Sequence, residues 1–88
     1  MKWTRESIRG ELVTLLGQHT QPGTDITEKS HLVGDLGIDS LGVMEIMADI
    51  EDKFHLSIPD DALRDVETVA DVSLAIETRL ERDGRLDG

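Results

Sequence analysis

Three times along this chain apolar residues return at helical spacing, and polar stretches separate the three runs. Ile8, Leu12, Leu15 and Leu16 alternate with Arg5, Glu6, Arg9 and Glu11, which predicts a first helix ending near Gly17. Thr4 stands where its N-cap belongs, and Trp3 is placed to pack on Ile8 as a hydrophobic staple. Val43, Ile46, Met47, Ile50 and Phe54 form one stripe of a second helix, from Ser40 to Phe54. Thr68, with Asp71 three residues on, reads as a capping box. The core stripe Val69, Val72, Ala75, Ile76 and Leu80 follows it, and Gly84 stops that last helix. Between the second and last helices, Leu56-Ser57-Ile58-Pro59 is extended, because the residue before proline avoids the helical region. Asp60 and Asp61 then start a short third helix through Arg64, which Val66 closes.

From Gln18 to Ile38 runs a long connection with Pro22, Gly23, Gly34 and Gly37, anchored only by Ile26, Leu32 and Val33. Ser30-His31-Leu32-Val33 is expected to form a single helical turn within it. Unstructured connections of this length tend to be functional. The expected fold is all-α: a small four-helix bundle of three longer helices and a short third one, with a long loop between the first two. One domain spans 1–88, with a structured core over about 4–83 and a frayed tail, Arg85-Leu86-Asp87-Gly88.

The second helix has another apolar face. Leu41, Met44 and Ala48 lie nearly opposite the core stripe, interleaved with Glu45 and Asp52 and flanked by Asp49 and Glu51. Apolar anchors edged by acids suit docking of a partner, with the apolar groups giving affinity and the charges steering. Packing of Leu41 and Met44 on the preceding loop or the short helix is the alternative.

Composition sharpens this picture. At 88 residues the chain makes one domain, with a compact radius of gyration of about 12 Å. Aromatics are 2% of it, so the core is aliphatic. Without cysteine there is neither a disulfide nor a thiolate metal site. His19, His31 and His55 include no i, i+4 pair, and Asp49-Ile50-Glu51-Asp52 lacks the glycine of a calcium loop, so no metal is expected. No apolar run has the length of a membrane span, and Met1-Lys2-Trp3 opens no signal peptide. A cytoplasmic protein, monomeric and without membrane contact, is expected. The net charge of −10 argues against nucleic acid. Asp35 to Asp71 holds eleven acids against two bases, whereas Met1 to Gly34 holds four of each. An excess concentrated in one segment reads as a surface that attracts basic partners.

The glycine-punctuated turn Gly34-Asp35-Leu36-Gly37-Ile38-Asp39-Ser40-Leu41 delivers one serine to the start of the second helix. Asp39 and Ser40 are both good N-cap residues. If Ser40 caps, its hydroxyl is spent on backbone N–H groups; if Asp39 caps, the Ser40 oxygen is free. An anion attached there would gain about 0.3–1 kcal/mol from the helix terminus, so the place could hold a phosphate. A hydrolase triad of Ser40, a histidine and an aspartate is disfavoured, because the turn is not G-x-S-x-G.

Asp35-Leu36-Gly37-Ile38-Asp39-Ser40-Leu41, followed by Met44-Glu45-Ile46, Ile50-Glu51, Phe54 and Ile58-Pro59, resembles the acyl carrier proteins of fatty-acid and polyketide synthesis over roughly Leu32 to Leu80. The resemblance implies a non-catalytic carrier. Ser40 would bear 4′-phosphopantetheine taken from coenzyme A, flanked by Asp39 and Leu41, with acyl groups held on the arm's thiol as thioesters. Implied partners are the phosphopantetheinyl transferase and the acyl-loading, chain-extending or modifying enzymes, through basic patches. They would read Leu41, Met44, Glu45, Ala48 and Asp52. Gly42 departs from fatty-acid carriers, which usually place an acid directly after Ser-Leu, and this points to polyketide or other specialised acyl metabolism. The alternatives are a primary fatty-acid carrier, a peptidyl carrier (although Gly37-Ile38-Asp39-Ser40 lacks the second glycine of that motif) and an acidic helical adaptor without a prosthetic group. Ile46, Met47, Ile50, Val66 and Ile76 would line any tunnel for a saturated chain. A close-packed core holds no ready-made tube, so the cargo is expected to be polar or short and held in solvent.

Overall fold

Thr4 starts helix α1 (Arg5–Gly17) in the computed structural model, which describes residues 2–87 without the side chains of Asp60 and Leu63. Its Oγ1 accepts the Ser7 N–H at 3.0 Å while Ser7 Oγ accepts the Thr4 N–H at 2.9 Å, so two orphan donors of the first turn are satisfied reciprocally. Helix α2 (Ser40–Phe54) ends at His55, in the left-handed region at φ 53 and ψ 53. The short α3 (Asp60–Leu63) follows Pro59, and α4 (Val69–Arg82) begins at Thr68. There the expected capping box is formed: Thr68 Oγ1 accepts the Asp71 N–H at 3.2 Å, and Asp71 Oδ2 accepts the N–H groups of Thr68 and Glu67 at 3.0 Å each. Those backbone donors, Thr68 first, hold the Asp71 carboxyl below its ordinary value of 3.8.

Helix α1 packs against α2 and α4 around a core that is aliphatic apart from Phe54. Ile8, Leu12, Leu16, Ile46, Ile50, Phe54, Ile76 and Leu80 are fully buried there, joined from the long loop by Leu32, Leu36 and Ile38. The Cα radius of gyration is 12.2 Å. The loop between α1 and α2 is tied to the start of α4, where the N–H groups of Val69 and Ala70 donate to the carbonyls of Ser30 (3.0 Å) and Glu28 (2.9 Å). Orphan donors of one helix thereby fix a segment that the hydrophobic pattern leaves undetermined. The expected turn near Ser30 lies slightly later, over residues 32–36.

One expectation is corrected at the chain ends. The tail is tied down: β1 (Trp3–Thr4) pairs in parallel with β2 (Leu86–Asp87), and the Trp3 N–H donates to the Arg85 carbonyl at 2.8 Å. Arg85 Nη1 also donates to the His55 carbonyl at 2.8 Å, and Nη2 to that of Phe54. These bonds satisfy carbonyls at the end of α2, which a helical pattern cannot announce because the donor lies thirty residues away. Gly88, the last residue of the expected frayed tail, lies outside the described residues. Trp3, expected to staple Ile8, packs on the core cluster that contains Ile8 and sets its ring on Phe54, with centroids 4.5 Å apart and planes tilted by 57°.

Candidate functional site

The turn before α2 is held almost entirely by its own backbone. The His31 carbonyl accepts the N–H groups of Asp35 and Leu36 at 3.0 Å, Val33 accepts from Gly37 at 3.1 Å, and Leu32 from Ile38 at 3.0 Å. Asp35 closes it from the other side, its Oδ2 accepting the His31 N–H at 2.7 Å. Gly37, at φ +69, takes the left-handed conformation that reverses the chain at no steric cost. Leu36 and Ile38 on either side of it are buried, so the turn is anchored in the core at two points.

Two N-cap candidates compete at the helix start, and the structure resolves the choice. Asp39 is the cap: its backbone is extended (φ −79, ψ 176), and its Oδ1 accepts the Gly42 N–H at 2.7 Å. Ser40 is the first helical residue, exposed, and its hydroxyl makes no hydrogen bond among the described residues. The N–H groups of Ser40 and Leu41 likewise have no partner among them, and no acid stands in the first turn of α2. An anion on Ser40 would meet the free N–H groups of Ser40 and Leu41 at the positive end of the helix, beside the Asp39 carboxylate that already holds the Gly42 N–H.

Gly42 has a packing reason of its own. A Cβ there would stand 2.8 Å from Ile38 Cγ2 and 3.2 Å from Asp39 Oδ1. Ile38 is buried, so it has little room to yield. The glycine lets the turn close tightly over the start of α2, a reason independent of pathway.

On the outer face of α2 the structure leaves Leu41 (63% exposed) and Met44 (66%) open, together with Glu45, Ala48 and Asp52. The alternative of Leu41 and Met44 packing on neighbouring segments is therefore excluded. Glu51 belongs elsewhere, because its Oε2 accepts the Ile58 N–H at 3.0 Å and fixes the strand-like segment before α3. His19, just past the end of α1, is a member of the surface that spacing alone could not find. Its Nδ1 lies 3.9 Å from Glu45 Oε2 and its Nε2 3.6 Å from Asp49 Oδ2. No pattern links position 19 to positions 45 and 49; only the packing of α1 on α2 does. The suggested tunnel lining is closed: Ile46, Ile50 and Ile76 are fully buried, whereas Val66 is half-buried and lines two surface clefts.

Comparison with known proteins bears on this geometry. Residues 6–76 match the family model described as the phosphopantetheine attachment site. The chain is 46% identical over 57 residues to the acyl carrier protein of Exiguobacterium sibiricum, covering 65% of this chain and 72% of that one. It is 36% identical over 86 residues to the acyl carrier protein of Rhodococcus erythropolis, covering 96% of this chain and 92% of that one.

Proposed function

The chain belongs to the acyl carrier protein family, non-catalytic proteins that carry acyl groups on 4′-phosphopantetheine, and from that membership we propose that Ser40 is where the arm is joined. The observation that supports this most is the division of labour at the start of α2, where Asp39 takes the capping role and leaves the Ser40 hydroxyl free. The residues present fit the group: a phosphodiester on Ser40 would lie against the unpaired N–H groups of Ser40 and Leu41. When bound, it supplies the thiol that this cysteine-free chain lacks, on which acyl groups are held as thioesters. Membership in the family sets aside the adaptor without a prosthetic group.

Leu41, Met44, Glu45, Ala48 and Asp52 form the face presented to the phosphopantetheinyl transferase and to acyl-handling enzymes. Exposed apolar anchors ringed by carboxylates favour partners with basic, apolar-centred patches. We place the protein in the cytoplasm as a monomer. Its pathway is polyketide or other specialised acyl metabolism, and its cargo is short or oxygenated and held in solvent. The closed core around Ile46, Ile50 and Ile76 supports that reading, since burying a ketone without a partner costs about 1–3 kcal/mol.

Tandem mass spectrometry of protein coexpressed with a transferase tests the attachment, which requires the added group on the fragment containing Ser40. Amide shifts then test the cargo, comparing protein loaded with a saturated medium chain and with its keto-substituted analogue. Core shifts at Ile46, Ile50 and Val66 are expected for the saturated chain only. Equal core shifts with the keto chain would overturn the solvent-held cargo.

A further inference from the structure

A cleft of about 340 Å³ opens between the segment around Ile58, helix α3 and helix α4, and none of its lining residues belongs to the Ser40 turn. Ile58, Pro59, Val66 and Leu74 contribute apolar wall, and Leu74 stands 63% exposed beside it. Arg79 and Arg82 line the same cleft. Neither makes an ion pair with a carboxylate among the described residues, although acids outnumber bases in this chain by nineteen to nine. Arg79 Nε is also buried without a hydrogen-bond partner. Buried donors are almost always satisfied, so an orphan guanidinium nitrogen at an apolar cleft calls for an acceptor that the chain does not supply.

The cleft is polarised along α4. Asp71 lies toward its start and Arg79 two helical turns further on, about 12 Å away at 1.5 Å per residue. The Asp71 carboxylate is already committed to the N–H groups of Thr68 and Glu67, so it is not available to the arginines. An anion at the arginine end is thus well separated from it, while an apolar chain running back along Leu74 meets Ile58, Pro59 and Val66.

We infer that this cleft binds a free aliphatic carboxylate of medium chain length, its carboxylate on Arg79 and Arg82 and its chain along Leu74 and Ile58. The fit is one of charge and shape together. A fork of guanidinium donors matches a carboxylate in two-point geometry, and the wall beyond it is mostly apolar, with Ser57, Asp65, Asp71 and Thr78 as its polar members. Acids of this class arise wherever an acyl thioester is hydrolysed. The site needs no modification of Ser40, so it stands or falls independently of the arm.

The full chain without the arm is titrated with octanoate, and with 1-octanol as the uncharged match, by nitrogen–proton correlation spectra that include the arginine Nε–H signals. Octanoate is expected to shift Ile58, Ala62, Leu74 and the Arg79 Nε–H together, and to bind about tenfold more tightly than octanol, the difference a charge-assisted bond supports. The double variant Arg79→Met, Arg82→Met keeps the apolar stems and is expected to bind the two probes equally. Should it fail to fold, Arg82→Gln alone is expected to reduce the preference for octanoate. Equal binding of both probes by the unaltered chain, shifts confined to α2 and the core, or an Arg79 Nε–H signal indifferent to octanoate would each overturn the site.

Discussion

Gly42 and Ile38 approach so closely that a Cβ on the glycine would lie 2.8 Å from Ile38 Cγ2. Sequence reading treats Gly42 as a departure that removes a charge beside Ser40, whereas the contact gives it a steric role as well. Alanine in the first turn of a helix gains up to about 1 kcal/mol in propensity over glycine. Overpacking against a side chain that cannot move costs about 1–3 kcal/mol. Because Ile38 is only 3% exposed, the steric cost wins. Gly42→Ala is expected to lower stability by about 1 kcal/mol in urea denaturation; an increase in stability would show that the turn relaxes freely.

Arg85 supplies the second prediction. It donates to carbonyls of Phe54 and His55 at the end of α2, and its own carbonyl holds the Trp3 N–H. Arg85→Ala leaves those α2 carbonyls without their donor and is expected to cost about 1–3 kcal/mol. Trp3, which rests on Phe54, should become more accessible to a soluble quencher. An unchanged denaturation midpoint would mean that the tail is as loose as its sequence suggests.

The third concerns acid. Asp71 has a carboxyl pKa lowered below 3.8 in the folded state, first by the Thr68 N–H and then by that of Glu67. A depressed folded value means that the unfolded chain binds the proton first as pH falls. The stability Asp71 contributes is therefore complete well above 3.8, declines as pH drops through that value and is gone below the lowered folded value. Asp71→Asn should be less stable than the unaltered protein at neutral pH, with the gap closing in that acidic window. A gap that stays constant down to acid denaturation would remove the charge from the account.

Helix extents were legible because the apolar stripes of α1, α2 and α4 are regular and two of their caps, Thr4 and Thr68, are sequence-local. The exposed pair Leu41 and Met44 could be read from the same period. What escaped reading depends on groups far apart in sequence. Arg85 at the end of α2, His19 beside Glu45 and Asp49, and the loop carbonyls at the start of α4 are brought together only by tertiary packing. At Ser40 the ambiguity was local but symmetric, since either Asp39 or Ser40 could cap, and only the 2.7 Å bond from the Gly42 N–H to Asp39 resolves it.

The docking face gives the fourth prediction. Glu45 and Asp52 are exposed, so reversing both to lysine should slow loading of the arm through association, with an effect that shrinks as salt rises. Stability should hardly change, since exposed ion pairs contribute at most about 1 kcal/mol. Loading rates indifferent to both reversal and salt would reduce this face to a solubilising surface.

The free Ser40 hydroxyl at the start of α2 is what makes attachment there possible. The most direct test of that attachment is the intact mass of Ser40→Ala after coexpression with a phosphopantetheinyl transferase, read beside its far-ultraviolet circular dichroism. Because Asp39 is the cap and the Ser40 side chain makes no hydrogen bond among the described residues, the variant should keep its full helical signal and gain no mass, while the unaltered chain gains one arm. A variant that still acquires the arm would contradict the assignment of Ser40.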